Sequence, residues 1–331
     1  MIHSSITQCV GTTPLVYLDR LFPQPDLSVI AKLEFLNPGG SVKDRPARYI
    51  IEKGLREKTI TSSTHIIEST SGNLGIALAM VARSYGLKLT CVVDPKISPT
   101  NLKILRLMGA NIDMVQTKDD QGGYLKTRIA RVQQLLQTTP NGYWINQYAN
   151  QLNWQAHYYG TGEEMVAQLD SPVDYVILAV STTGTILGIA RRLRKDFPNI
   201  RVIAVDAVGS IIFGQAPGPR EIPGIGSSRV PELLSRDEID EVVHVNDYEA
   251  ALGCRTLLAR EGIFAGGSSG AVIAALYKLL PTFPPMSRVM TVLPDRGERY
   301  LDLVYNDQWL ERVTPRAESR VESLELDMAL I

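Results

Sequence analysis

Short apolar runs alternate with helix-length segments along most of this chain, and few folds accommodate that alternation. In the first half, residues 28–35, 64–68, 87–93 and 111–115 read as strands, and 47–56, 74–85, 101–108 and 123–137 read as helices. The second half repeats it, with strands at 174–180, 201–206, 241–245 and 288–293 and helices at 185–195, 248–260 and 269–280. Strands in this spacing pair in parallel through βαβ crossovers, so the fold class is α/β. Residues 11–18 read as a turn and a short strand, and the strand-like Y-W-I-N-Q-Y run at 143–148 closes the first half. Two doubly wound domains are expected: a smaller one from residues 1–12 and 37–149, and a larger one from 13–36 and 150–331. The Gly- and Pro-rich segment at 209–231 is longer than an ordinary connection and reads as functional. From Glu318 the charged tail reads as a loose helix or as disordered.

Residues 37–45 read N-P-G-G-S-V-K-D-R. Pro38, Gly39 and Gly40 break regular structure, and Ser41 is a natural N-cap, which sets Lys43 in a first helical turn. A helix N-terminus carries partial positive charge and favours anions. An ammonium gains nothing there unless an anionic partner is close or the amine is not an ammonium. A Schiff base to a carbonyl cofactor meets the second condition; a solvated lysine on a helix flank is the plainer alternative.

Three polar turns lie between a strand and a helix, where doubly wound sheets place ligands. The first, Ser69-Thr70-Ser71-Gly72-Asn73, precedes a helix that is apolar all round and therefore buried, which puts the turn in a cleft. Its hydroxyls and N–H groups make an anion cradle suited to a carboxylate, although simple helix capping explains the same residues. The second, Ser181-Thr182-Thr183-Gly184-Thr185, has the hydroxyls of a phosphate cup. It lacks the lysine of a Walker loop and the spacing of a dinucleotide turn, so it fits a single phosphate. The third is A-G-G-S-S-G at 265–270, where glycines admit a flat ligand and Ser268 or Ser269 offers one hydrogen bond. An amine, a phosphate cup, a carboxylate cradle and this turn together match pyridoxal 5′-phosphate, which carries an aldehyde, one phosphate and a flat ring.

Composition removes other function classes. A net charge of −1 with mixed signs leaves no footprint for nucleic acid or a membrane surface. No run reaches the length of a membrane span and no signal-like segment opens the chain. Cys9, Cys91 and Cys254 are too scattered for a disulfide framework or a metal site. A cytoplasmic protein acting on small molecules is expected.

The stretches G-T-T-P-L-V-Y-L, K-L-E-F-L-N-P-G-G-S-V-K-D-R, T-S-G-N-L-G-I-A-L-A-M, N-Q-Y, S-T-T-G-T, G-I-G-S-S-R-V-P-E-L-L, A-G-G-S-S-G-A and P-D-R-G-E-R-Y-L run in the order of the cysteine synthase and cystathionine β-synthase family. The chain resembles that family along almost its whole length. The resemblance implies the tryptophan synthase β-like architecture of fold type II pyridoxal-phosphate enzymes, and a homodimer. It implies that Lys43 holds the cofactor and later removes the substrate α-proton, that Asn73 meets the cofactor's phenolic oxygen, and that Ser181, Thr182, Thr183, Gly184 and Thr185 hold its phosphate. Ser268 would face the pyridine nitrogen, where a serine cannot keep the ring protonated as an aspartate would. Thr70, Ser71, Gly72 and Asn73, with Gln147, would clasp the substrate carboxylate and exclude water.

Departures from the family pattern bear on the substrates. Leu74 stands where a threonine is usual, Ser181 and Thr183 enrich the phosphate loop, and Arg229 replaces a common aromatic. An arginine at the cleft mouth favours a dianionic leaving group or an acidic nucleophile. With Arg128, Tyr148 and Arg220, it is expected to bind acidic groups. The chain is similar to a branch that joins O-phospho-L-serine to the amine of L-glutamate, toward L-2,3-diaminopropionate and siderophores such as staphyloferrin B. A cysteine synthase using O-acetyl-L-serine and sulfide is the alternative if those residues lie on the surface, and a catalytically silent binding subunit is a third reading.

Overall fold

The computed structural model describes residues 2–119 and 122–315; the tail from Glu318 lies outside the described residues. The chain forms β1 (Leu15–Tyr17), β2 (Leu27–Leu33), α1 (Asp44–Glu57), β3 (His65–Ser69), α2 (Asn73–Ser84), β4 (Lys88–Val93), α3 (Pro99–Leu107), β5 (Asn111–Met114), α4 (Leu125–Thr138) and β6 (Gly142–Trp144). It continues through α5 (Leu152–Ala156), a π-helical turn at His157–Gly162, α6 (Glu163–Gln168), β7 (Tyr175–Ala179), α7 (Gly184–Asp196), β8 (Arg201–Ala207), β9 (Glu241–Val245), α8 (Asp247–Glu261), α9 (Gly267–Leu279), β10 (Ser287–Leu293) and α10 (Asp307–Val313).

The strands make two sheets. One has the order β5-β4-β3-β6 and is parallel throughout. The other has the order β1-β2-β10-β7-β8-β9, parallel except for the β1 edge. Parallel strands need helices on their faces, which is why β7, β8 and β10 are apolar runs buried on both sides. The apolar α2 is buried from Leu74 to Ala82 in the core of the four-stranded sheet, as its all-round apolarity requires.

Two differences from the sequence reading bear on the site. The strand expected at 143–148 ends at Trp144, because Asn146 turns the backbone to φ 49°. Helix α1 starts at Asp44, so Lys43 is its N-cap residue and not part of its first turn.

Candidate active site

The carboxyl ends of both sheets face one cavity of about 720 Å³. Of the candidate cofactor- and substrate-binding residues named from the sequence, all line it except Gly184, Ser269 and Arg229.

Lys43 stands at the end of a tightly held turn. Gly40 takes φ 82°, a left-handed conformation that favours glycine. The Gly39 N–H donates to Asp44 at 2.5 Å, and the Lys43 N–H donates to Ser41 Oγ at 3.3 Å. The side-chain amine reaches the cavity without a hydrogen-bond or ion-pair partner among the described residues. Burial lowers its pKa to about 8, against the opposing pull of Asp295.

In the first turn, Thr70 Oγ1 accepts the Gly75 N–H at 3.0 Å, and Asn101 donates to the Ser71 carbonyl at 3.2 Å. Arg128 donates to Ser71 Oγ at 3.4 Å and pairs with Asp94 at 3.2 Å. It is therefore packed against the cradle, and the solvated helix face that a cation on α4 ordinarily implies does not hold here. Asn153 holds the Gln147 carbonyl at 2.7 Å, and the Leu233 N–H holds that of Tyr148 at 3.0 Å.

The second turn has the makings of an anion site. Thr183 sits at φ 64°, strained for a β-branched residue, and its buried Oγ1 has no partner. The first N–H groups of α7 point the same way, with no acceptor within the helix. Ser181 donates to the Gly226 carbonyl at 3.1 Å, Thr182 Oγ1 accepts from Asn153 at 3.1 Å, and Thr185 Oγ1 lies 3.3 Å from His157 Nε2. Gly184 stays behind the wall: a side chain there would meet Asn153 at 2.5 Å, so glycine lets α7 approach α5. In the third turn Ser268 is the buried second residue of α9, and it lines the cavity where Ser269 does not.

The long segment after β8 closes one side. Gly226 donates its N–H to the Val180 carbonyl at 2.7 Å, which ties the segment to the start of the second turn. Arg220 lines the cavity, bonded through Nη2 to Ser228 at 2.8 Å, with Nε buried and unpartnered. No carboxylate forms a salt bridge with it among the described residues; Asp206 and Asp247 act only at longer range, and burial lowers its pKa. Arg229, expected at the cleft mouth, lies outside the cavity wall. Its guanidinium pairs with Glu232 and stacks 5.0 Å from the centre of the Tyr148 ring, so its charge is already occupied.

Four residues were missed as site components. Asp295 and Arg299 bond the two ends of the Asn73 amide, while Asn153 and His157 brace the second turn. Asp295 and Arg299 belong to the P-D-R-G-E-R-Y-L stretch, which carried family resemblance but no assigned role. Asn153 and His157 fall in α5 and the π-helical turn, a region without strand or helix periodicity.

This wall fits pyridoxal phosphate. Among the described residues it offers a partnerless amine, a partnerless buried hydroxyl beside a helix N-terminus, and a buried serine on the same wall, the donor set that an aldehyde, a phosphate and a ring nitrogen require.

Comparisons agree with that chemistry. A family model described as pyridoxal-phosphate dependent enzyme matches residues 6–295. The N-(2-amino-2-carboxyethyl)-L-glutamate synthase of Ralstonia nicotianae is 64% identical over 313 residues, covering 95% of this chain and 93% of that protein. The O-acetylserine dependent cystathionine β-synthase of Helicobacter pylori superposes with a TM-score of 0.85 at 37% identity, covering 91% of this chain and 98% of its own. An O-ureido-L-serine synthase does so with a TM-score of 0.86 at 30% identity, covering 98% and 100%. The fold is the one these fold type II neighbours share, and the chain belongs to the family of pyridoxal-phosphate dependent enzymes.

Proposed function

We propose that this enzyme catalyses a β-replacement that condenses O-phospho-L-serine with L-glutamate, giving N-(2-amino-2-carboxyethyl)-L-glutamate and phosphate, as a step toward L-2,3-diaminopropionate and siderophores. The observation that carries this reading is Arg220, a guanidinium on the cavity wall with no carboxylate partner among the described residues, within the segment that Gly226 staples to Val180. An acidic substrate group supplies the missing counter-charge. The 64% identical relative supports the same reading by its name.

Pyridoxal phosphate supplies an electron sink for negative charge at the substrate Cα. Lys43 holds the cofactor and, once free, moves the Cα proton; its lowered pKa leaves a useful fraction of neutral amine near neutral pH. Ser268 meets the ring nitrogen with a neutral hydroxyl and keeps the sink weak. Asn73 meets the phenolic oxygen, and Ser181, Thr182, Thr183, Gly184 and Thr185 form the phosphate loop, with Gly184 giving the helix its close approach. Thr70, Ser71, Gly72 and Asn73, with Gln147, bind the substrate carboxylate, and the buried Leu74 next to them removes water from that end. Arg128 and Tyr148 face the second substrate, with Arg229 stiffening Tyr148 from behind.

We also propose a cytoplasmic homodimer with a smaller unit from residues 1–12 and 37–149 and a larger unit from the rest. Three free cysteines and the family resemblance support this, and a monomeric mass in solution would overturn the dimer.

The test is product analysis with the purified holoenzyme. O-phospho-L-serine and L-glutamate together should release phosphate and give the condensed amino acid by mass spectrometry. Faster turnover of O-acetyl-L-serine with sulfide would replace this reading with that of a cysteine synthase.

A further inference from the structure

The segment that leaves β10 grips both halves of the site. The Val42 N–H donates to the Pro294 carbonyl at 2.7 Å, the Arg296 N–H donates to the Gly40 carbonyl at 3.3 Å, and Arg299 Nη2 donates to the Gly39 carbonyl at 2.5 Å. The same segment takes hold of Asn73, the first residue of α2. Asn73 Nδ2 donates to Asp295 Oδ2 at 2.6 Å, and Asn73 Oδ1 accepts from Arg299 Nη1. Asp295 is fully buried and is itself oriented by the Tyr300 hydroxyl at 2.6 Å.

An asparagine amide has two orientations that differ by exchanging oxygen and nitrogen. Here a carboxylate meets the nitrogen end and a guanidinium meets the oxygen end. A flip would set oxygen against carboxylate and N–H against guanidinium, two repulsive contacts in a buried place. We propose that Asp295 and Arg299 are positioning residues that lock the Asn73 amide in one orientation, so that its remaining N–H donates to the cofactor's phenolic oxygen. The clamp also fixes that N–H relative to Lys43, because one segment holds both. The inference rests on Asn73 facing the cofactor and is independent of which substrates are used.

The experiment reads the visible absorption of the bound cofactor and its dissociation constant from titration of the cofactor-free protein. Asp295→Asn and Arg299→Met should each move the absorption band in the direction that Asn73→Ala moves it, and weaken cofactor binding about tenfold, the scale of one charge-assisted hydrogen bond. Combining either with Asn73→Ala should add little, since both act through one amide. Arg299→Lys should recover part of the shift, and it keeps the clamp testable if Asp295→Asn fails to fold. Arg296→Met breaks the 2.9 Å contact of the same segment with the Phe35 carbonyl without touching Asn73, and should lower stability with the band unmoved. Unchanged spectra in the Asp295 and Arg299 variants overturn the proposal, as do effects fully additive with Asn73→Ala. An unmoved band in Asn73→Ala alone overturns it differently, by removing Asn73 from the cofactor.

Discussion

Two lysines on either side of the Pro-Gly-Gly turn live in opposite surroundings. Behind the turn, Lys32 is completely buried yet donates to the Thr13 carbonyl at 2.6 Å, Glu164 at 2.8 Å and Gln168 at 2.8 Å. Around it, Arg45 bonds Glu34 at 2.6 and 2.7 Å and Glu164 at 2.6 and 2.8 Å, and Thr13 and Asn37 fill the remaining positions on Glu34. In front of the turn, among the described residues, Lys43 has no partner, and Thr183 Oγ1, Asp295 Oδ1 and Arg220 Nε are buried with none. Buried polar groups normally find partners. The saturated cluster is scaffold, and the unsaturated one is completed by what binds.

The largest effect is expected at the front lysine. Lys43→Ala should lower turnover by at least about 10³-fold, since in the proposed mechanism it removes both the covalent anchor and the base, while thermal unfolding shows an intact fold. A residual rate within tenfold of the parent would remove Lys43 from the chemistry. The same residue gives a pH test in the cofactor-free protein. Burial holds the amine at about 8 in the folded chain against 10.5 when unfolded. Between those values the unfolded chain binds more protons, so stability should rise with pH across that window. In Lys43→Met the rise should be smaller, and an identical slope would contradict the burial.

The back of the turn should respond in the opposite sense. Glu34→Ala strips Arg45, Thr13 and Asn37 of a shared acceptor, and breaking a buried pair from one side costs about 3–5 kcal/mol. Denaturant unfolding should show that loss, with little change in cofactor absorption of the folded fraction. A cost below about 1 kcal/mol would mean that the network is ornamental and the contrast false.

Arg220→Gln probes the front without touching the scaffold. It should raise KM for the acidic substrate roughly tenfold to a hundredfold, the worth of a charge-assisted hydrogen bond, and leave stability nearly unchanged. Arg229→Ala should change KM far less, since its guanidinium is spent on Glu232 and Tyr148. The reverse ranking would move the acidic subsite to Arg229.

That ranking marks the limit of what the sequence made legible. Periodicity located α2 and the apolar strands because burial on all faces leaves a composition signature. The polar turns were legible for a related reason, since Gly and hydroxyl residues between a strand and a helix have few roles. Arg220 and Arg229 both lie in a segment without periodicity, so nothing in the order of residues fixes which one faces inward. The decision rests on Glu232, which takes the charge of Arg229, while no carboxylate among the described residues forms a salt bridge with Arg220. Asn153 and His157 were hidden for the same reason, because a five-residue helix and the π-helical turn after it are too short and irregular to leave a stripe to read.

The smallest effect discriminates most finely, because it sets strain against ligand at a single atom. Thr183 holds φ 64°, which costs a β-branched residue about 1–2 kcal/mol. In the cofactor-free protein Thr183→Gly relieves that strain but adds backbone entropy to the unfolded chain, so the net gain should stay under about 1 kcal/mol. Loss of the hydroxyl should weaken cofactor binding about tenfold. Thr183→Ala keeps the strain and loses the same hydroxyl, so it should match the affinity loss without the gain in stability. If both variants lost stability and bound the cofactor like the parent, Thr183 would belong with Glu34 and Arg45 in the scaffold, and its partnerless oxygen would not report a ligand.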